Sequence, residues 1–127
     1  MSWRRSRSSV QLDLLIEGDI DSLDDTRKLT VYRVVQEGLT NAFRHSGASR
    51  IIVDVMLQRA PATRQTTREH DLVSITVRDD GYGRSPDATD GFGLRAMRER
   101  VGALSGALAI ESGVGAGTQL RVTLPVP

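Results

Sequence analysis

Cysteine is absent from the 127 residues, and histidine occurs only twice, as His45 and His70. The absence of cysteine excludes disulfide bonds, thiol catalysis and metal sites built on thiolate ligands. Two histidines also make a histidine-rich metal site unexpected. Lys28 is the only lysine and does not follow a glycine-rich loop, so the sequence excludes a Walker A phosphate-binding loop.

Long apolar runs and a strong charge bias are missing as well. No stretch approaches the roughly 18 apolar residues of a membrane-spanning helix, and we expect no secretory leader. Seventeen Lys and Arg residues against sixteen Asp and Glu residues leave a net charge of +1, which does not indicate a nucleic-acid surface. We therefore expect one cytoplasmic domain with no nucleic acid as partner and no membrane contact.

The hydrophobic pattern predicts an α+β fold. Alternating or β-branched runs predict strands at residues 10–14, 51–57, 72–77, 107–112 and 119–126. Apolar residues three and four apart predict two helices, one that follows candidate caps in residues 22–25 and runs to about 44, and one at 94–104. We expect a two-layer α/β sandwich, with a mixed, mainly antiparallel sheet of about five strands and both helices on one face.

Three finer expectations concern the tail, a hairpin and a helix face. Residues 1–9, MSWRRSRSS, are polar and basic without periodicity, so we expect a tail or severed linker before a folded domain at 10–127. The strands at 51–57 and 72–77 are predicted to form an antiparallel hairpin. The first helix is predicted to pack on the sheet through one apolar face, which consists of Val31, Tyr32, Val35, Leu39, Ala42 and Phe43.

Glycine clusters occur at residues 79–83, 91–94 and 113–118. Glycine lets backbone N–H groups approach a ligand without a Cβ in the way. The second cluster immediately precedes a predicted helix, where backbone amides and the helix N-terminus together can bind phosphate. One such cluster alone is typical of a turn. Three of them, two at strand ends and one at a helix start, favour a nucleotide-binding site.

The first helix carries a second group of candidate residues. Glu37 and Asn41 are four residues apart and Arg44 follows one turn later, all predicted to lie opposite the apolar face. A carboxylate, a carboxamide and a guanidinium can together hold Mg²⁺ and phosphate oxygens, because Mg²⁺ prefers oxygen ligands. A solvated helix face accounts for the same spacing, and His45 alone is typical of a helix C-terminus.

Four motifs in a fixed order resemble the ATP-binding catalytic domain of two-component sensor histidine kinases. They are YRVVQEGLTNAFRHSGAS, VRDDGYG, GFGLRAMRERV and GVGAGTQLRVTLP. The pattern is most similar to the nitrate-sensor and thermosensor-like group, and the resemblance extends from about residue 10 to the C-terminus. It implies the Bergerat ATP-binding fold of the GHKL ATPases, with ATP and Mg²⁺ as cofactors.

In the first motif, the resemblance implies roles for four residues of the first helix. Asn41 matches the asparagine that binds Mg²⁺. Glu37 matches the acid that acts as a base or as a water-mediated partner of the metal. Arg44 and His45 match basic residues that approach the phosphates.

The other motifs supply the implied adenine and phosphate contacts. Asp79 matches the aspartate that accepts a hydrogen bond from the adenine amino group, and a carboxylate at that point would repel the carbonyl of guanine. The remaining implied nucleotide-binding residues are Gly81 and Gly83, which open the pocket, Gly91, Gly93 and Leu94 near the phosphates, and Thr118, which contacts adenine through water.

The resemblance implies that the chain donates the γ-phosphate of ATP to a histidine on a separate dimerisation and phosphoacceptor domain of the same kinase, and so acts indirectly on a response regulator. Neither His45 nor His70 suits the acceptor role, so we expect little autonomous activity. The segment 84–90, which would cover the phosphates, is short. Two alternatives stay open: a stand-alone GHKL ATPase or anti-sigma-type serine kinase, and a catalytically degenerate nucleotide-sensing or docking module.

Overall fold

A single mixed β-sheet forms one layer of the protein and two α-helices form the other. The computed structural model describes residues 2–5, 8–45, 47–60, 71–82, 91–112 and 117–127, with backbone alone for 2–5, 8, 9, 45 and 92. The strands are β1 Ser2–Arg5, β2 Ser8–Glu17, β3 Arg50–Gln58, β4 Asp71–Asp79, β5 Ala107–Ser112 and β6 Thr118–Val126. The helices are α1 Asp25–His45 and α2 Phe92–Ala103, and a 3₁₀ turn covers Ile20–Ser22.

The strand order across the sheet is β1-β2-β3-β4-β6-β5. Among the described strands, β2 and β3 are the one parallel pair, because α1 lies between them in the chain; the other pairs are antiparallel. The β3–β4 ladder joins the two strands predicted as a hairpin. The predicted α+β fold with a mixed sheet is confirmed.

The N-terminal residues differ from the prediction. The described part of this segment is strand rather than tail, since Ser2–Arg5 pairs with β2 from Ser8 to Gln11 and adds a sixth strand. Alternation of apolar residues could not predict β1, because its four residues are almost all polar. The domain boundary at residue 10 stays a prediction.

The start of α1 is fixed by Asp24. Its carboxylate accepts the backbone N–H of Arg27 at 2.7 Å and also binds the Arg27 guanidinium at 2.7 Å. These hydrogen bonds, of which the backbone N–H contributes most, lower the pKa of Asp24. Arg27 Nε also donates to the carbonyl of Pro125 at 2.9 Å, so the first turn of α1 is tied to the end of β6.

The core lies between the helices and one face of the central strands. In β3, β4 and β6 alternate side chains are buried, as expected for a sheet covered on one side. The predicted face of α1 is partly wrong. Tyr32 is 61% exposed, whereas Val34, outside the predicted set, is fully buried. None of the helices in the described part of the chain has the length and apolar character needed to cross a membrane.

Candidate functional site

Asp79 lies at the last position of β4, beside the first residue of β6. Its Oδ1 accepts the backbone N–H of Gly81 at 2.9 Å, and its carboxylate also accepts the N–H of Thr118. Burial raises the pKa of Asp79 above its ordinary value, and the nearby charge of Asp80 adds to the rise, against the effect of the two amides. The site therefore holds a half-buried hydrogen-bond acceptor in a fixed orientation.

Glycine at position 117 makes this arrangement possible. Its φ is +77°, and a Cβ there would overlap the backbone carbonyl of Asp79. Backbone atoms cannot move aside as a flexible side chain can, so any larger residue would push β6 away from Asp79. Gly81 is buried in the same corner of the fold.

Asp80 is a site residue that sequence reasoning missed. Its carboxylate accepts the Ser49 hydroxyl at 2.6 Å and the backbone N–H groups of Ser49 and Arg50 at 2.8 and 3.0 Å. The Ser49 hydroxyl, followed by the Arg50 amide, lowers the pKa of Asp80. Of the two adjacent aspartates, Asp79 accepts the Gly81 and Thr118 amides and Asp80 anchors the α1–β3 connection, and only the contacts seen in the structure distinguish them.

A second contact fixes the same connection. Gly47 has a φ of +59°, and a Cβ on it would lie 2.5 Å from Cε2 of the Tyr82 ring. The ring of Tyr82 therefore lies directly on the chain that leaves α1. With the hydrogen bonds of Asp80, this contact ties the C-terminal end of α1 to the segment after Asp79.

On α1 the candidate residues lie differently from the prediction. Glu37 and Asn41 are half-buried, and they do not lie opposite the packed face. The packed face is centred on Val34 and Gly38, so Glu37 and Asn41 fall on its flank. The prediction placed them opposite because it included Tyr32 and omitted Val34.

The flank that carries Glu37 faces the start of α2. A Cβ built on Gly93 would overlap the Glu37 carboxylate and lie 2.5 Å from its Cδ. Two motifs that are far apart in the sequence therefore meet at one place. Farther toward β4, a Cβ on Gly38 would lie 2.8 Å from Cγ2 of Val77, so α1 approaches the strand that ends in Asp79 very closely.

Gly91 and Leu94, which are also predicted to lie near the phosphates, differ in burial: Gly91 is exposed and Leu94 is buried. Gly91 is the N-cap of α2, and its carbonyl accepts the N–H of Arg95 at 3.0 Å. Nothing among the described residues lies within 4 Å of a Cβ built there. The Leu94 side chain is buried in the core, so only its backbone is available to a ligand.

The remaining predicted residues are only partly described. The Thr118 hydroxyl lies 3.1 Å from Ser112 Oγ at the start of β6. Arg44 is exposed on the last turn of α1. The side chain of His45 and all of Gly83 lie outside the described residues.

Two residues of α1 are the candidate oxygen donors for a metal. The described residues hold no group of three or more His, Cys, Asp or Glu side chains that could bind a metal ion. Glu37 and Asn41 offer a carboxylate and an amide oxygen one helical turn apart. This donor set fits Mg²⁺, which is usually held by one or two protein oxygens together with water and substrate phosphates.

Comparison with known proteins shows to which protein family this chain belongs. The family described as histidine kinase-, DNA gyrase B-, and HSP90-like ATPase matches residues 26–127, which include Glu37, Asn41, Asp79 and all three glycine clusters. The chain belongs to this ATPase family. Its four motifs therefore resemble those of sensor histidine kinases because of common family membership.

Several relatives are sensor kinases. The histidine-protein kinase/phosphatase UhpB of Salmonella typhimurium is 36% identical over 84% of this chain and 19% of its own length. The sensor histidine kinase MctS of Rhizobium johnstonii is 33% identical over 94% of this chain and 24% of its own. The chain thus spans about a fifth to a quarter of these relatives.

A solved structure shows the same fold. The histidine kinase domain of the blue-light activated histidine kinase of Erythrobacter litoralis EL346 has a TM-score of 0.71 and 22% identity to this chain. The similarity covers 92% of this chain and 52% of that domain. The two-layer arrangement of helices and sheet is therefore that of histidine kinase domains.

Proposed function

We propose that the chain binds Mg·ATP and donates its γ-phosphate to a histidine on a separate dimerisation and phosphoacceptor domain, the first step in signalling to a response regulator. The observation that carries this proposal is the contact between Glu37 and Gly93. It brings the oxygen donors of α1 to the N-terminal end of α2, where backbone amides favour phosphate.

Asp79 supplies the adenine contact. The Gly81 and Thr118 amides hold its carboxylate in place, and the half-buried carboxylate then accepts the exocyclic N–H of adenine. Guanine presents a carbonyl oxygen at the same point, and two acceptors facing each other repel. The site therefore prefers ATP to GTP.

Glu37 and Asn41 supply the groups for transfer. Bound Mg²⁺ would neutralise charge on the phosphates, with Asn41 and Glu37 holding it directly or through water. We infer that the Glu37 carboxylate also accepts the proton of the attacking imidazole. The N–P bond forms while the bond between the γ-phosphorus and its bridging oxygen breaks, and ADP leaves.

Nucleotide titrations test the binding half of the proposal. Calorimetry with ATP and GTP, with and without Mg²⁺, is expected to show tighter binding of Mg·ATP than of GTP, and a loss of the Mg²⁺ effect in Asn41→Ala. Gln36→Ala, an exposed change on the same helix, serves as the control and is expected to bind like the parent. Equal affinities for ATP and GTP would refute the adenine assignment.

Phosphotransfer tests the catalytic half. The chain is incubated with labelled ATP and a supplied helical acceptor domain, and the acid stability of the product is measured. We expect acid-labile phosphate on the acceptor, and loss of transfer with retained ATP binding in Glu37→Gln. Acid-stable phosphate would indicate a serine kinase, and binding without transfer to any acceptor would indicate a nucleotide-sensing module.

A further inference from the structure

The carboxylate of Glu37 lies at the place where the phosphates are proposed to bind. A Cβ built on Gly93 would overlap Oε1 of Glu37 and lie 2.5 Å from its Cδ and 2.6 Å from its Oε2. Both carboxylate oxygens are therefore close to the backbone of Gly93. A negative side chain thus lies against the first turn of α2.

The first turn of α2 is the part of this helix that attracts anions. The N–H of Arg95 donates to the carbonyl of Gly91 at 3.0 Å, which is the first bond of the helical ladder. The amides of residues 92–94 precede this bond and have no acceptor within the helix. The N-cap, Gly91, has no side chain that could accept from them. Phosphate oxygens and the Glu37 carboxylate are therefore drawn to the same end of α2.

The charge of Glu37 is not paired with a cation in the described part of the chain. Arg33, one turn earlier on α1, and Arg44, two turns later, are exposed, and neither forms a salt bridge with Glu37. Asn41, the other candidate metal donor, carries no charge. The Glu37 side chain is half-buried, so water and salt screen its charge less than they would on the surface.

We propose that Glu37 excludes nucleotides that arrive without a metal ion, and so makes the site selective for Mg·ATP over free ATP. The inference rests on the proposed function, because it assumes that the phosphates bind at the N-terminal end of α2. The phosphate oxygens of free ATP would meet the carboxylate directly, and like charges at such short distance repel. Mg²⁺ held by Asn41 beside the phosphates would cancel this repulsion.

The discrimination depends on the charge of Glu37 and not on its shape. Glutamine at this position would keep the contact with Gly93 but would present a neutral amide, whose N–H groups can bind phosphate oxygens. Asp79 cannot contribute to the discrimination, because the adenine that it is proposed to bind is the same in free ATP and in Mg·ATP. The exclusion therefore extends to metal-free polyphosphates that carry no base.

Calorimetry with ATP in EDTA and with ATP in excess Mg²⁺ tests the exclusion. In the parent we expect free ATP to bind at least about tenfold more weakly than Mg·ATP. In Glu37→Gln we expect the affinity for free ATP to rise at least about tenfold, while the affinity for Mg·ATP stays within about threefold of the parent. Tripolyphosphate in EDTA is the second probe, and its affinity is expected to rise in the same variant.

Glu99→Gln is the matched control, because it removes the same charge from an exposed position nearly two turns farther along α2. We expect this variant to bind free ATP, Mg·ATP and tripolyphosphate like the parent. Circular dichroism shows whether each variant folds. If Glu37→Gln does not fold, Glu37→Ala removes the same charge and is measured in its place.

Three results would overturn the inference. The affinity of Glu37→Gln for free ATP could equal that of the parent, or its affinities for both forms could fall, which would show that the carboxylate only attracts. An equal gain in Glu99→Gln would show an effect of overall charge. Failure of the proposed function gives a different result, because the parent would then bind no form of ATP, and the inference would be overturned with it.

Discussion

At the scale of single residues, the proposed adenine contact of Asp79 comes with a cost in stability. Burial raises its pKa, so the folded chain binds the proton of this carboxyl more tightly than the unfolded chain does. Its contribution to the free energy of unfolding is therefore largest below the ordinary value of 3.8 and is lost as pH rises through the raised folded pKa. The adenine contact that we propose for Asp79 has the opposite pH dependence, because it requires the ionised form.

We predict that Asp79→Asn separates the two effects. The variant is neutral at every pH, so its melting temperature near pH 7 is expected to equal or exceed that of the parent. If Oδ1 of the new side chain still accepts the hydrogen bonds of the Gly81 and Thr118 amides, its NH₂ group faces the adenine amine. Two donors then face each other, and affinity for ATP is expected to fall about 10- to 100-fold. Thermal unfolding and calorimetry on the same samples measure both quantities. Parallel losses of stability and binding would show that the carboxylate is structural.

Two glycines of α2 are predicted to behave differently. A Cβ in Gly93→Ala would displace the Glu37 carboxylate, which is the flexible end of its side chain, so stability should stay within about 0.5 kcal/mol of the parent. Phosphotransfer to a supplied acceptor should fall as in Glu37→Gln, because the base has moved. Gly102→Ala, on the same helix and with nothing within 4 Å of its new Cβ among the described residues, is the matched control for transfer. Full transfer by Gly93→Ala would contradict this role of the contact.

At the scale of elements, the close approach of α1 to β4 leads to opposite predictions for two helical glycines. Alanine favours a helix over glycine by about 1 kcal/mol, but in Gly38→Ala the new Cβ would lie 2.8 Å from Val77 on a central strand. Overpacking of this kind costs about 1–3 kcal/mol, so we predict net destabilisation. Gly102→Ala on α2 has nothing within 4 Å among the described residues and should be stabilising. Denaturant unfolding of both variants tests this, and equal effects would contradict it.

The same helix shows what sequence patterns can and cannot predict. Its bounds followed from the candidate caps in residues 22–25 and from apolar spacing, which are local properties of the chain; the structure shows that Asp24 is the cap. Its buried face did not follow, because Tyr32 and Val34 are both compatible with an apolar stripe and only packing on the sheet decides between them. The flank on which Glu37 and Asn41 lie depended on that choice.

At the scale of the whole molecule, the fold class was predictable because its strands alternate and its helices are periodic. The motif order pointed to the ATPase family, and the match to residues 26–127 confirms it. The strand order was not predictable, because β4 pairs with β6 and not with the next strand in the chain, β5. The contact of Glu37 with Gly93 joins the two helices, and the anchoring by Asp80 lies at the end of the β3–β4 ladder. Both depend on tertiary packing, so neither could be read from local sequence.

The bonds at the ends of the β3–β4 connection have a consequence for chain insertion. Asp71 accepts the N–H of Ala60 at 2.6 Å and contacts Arg59 at 3.5 Å, so the two ends are joined before residue 61 and after residue 70. When the ends of a segment are already joined, lengthening it adds only the entropic cost of closing a longer loop. That cost is about 0.6 kcal/mol for each doubling of length.

We therefore predict that a Gly/Ser insert that doubles segment 61–70 lowers the free energy of unfolding by about 0.6 kcal/mol. The same insert after Ala48 is expected to be far more harmful, because it separates Gly47, under the Tyr82 ring, from Ser49, held by Asp80. Denaturant unfolding of the two insertion variants measures the difference, and similar losses would contradict the prediction. The β3–β4 connection is accordingly a place where a reporter peptide can be spliced into this protein while its candidate nucleotide site stays in place.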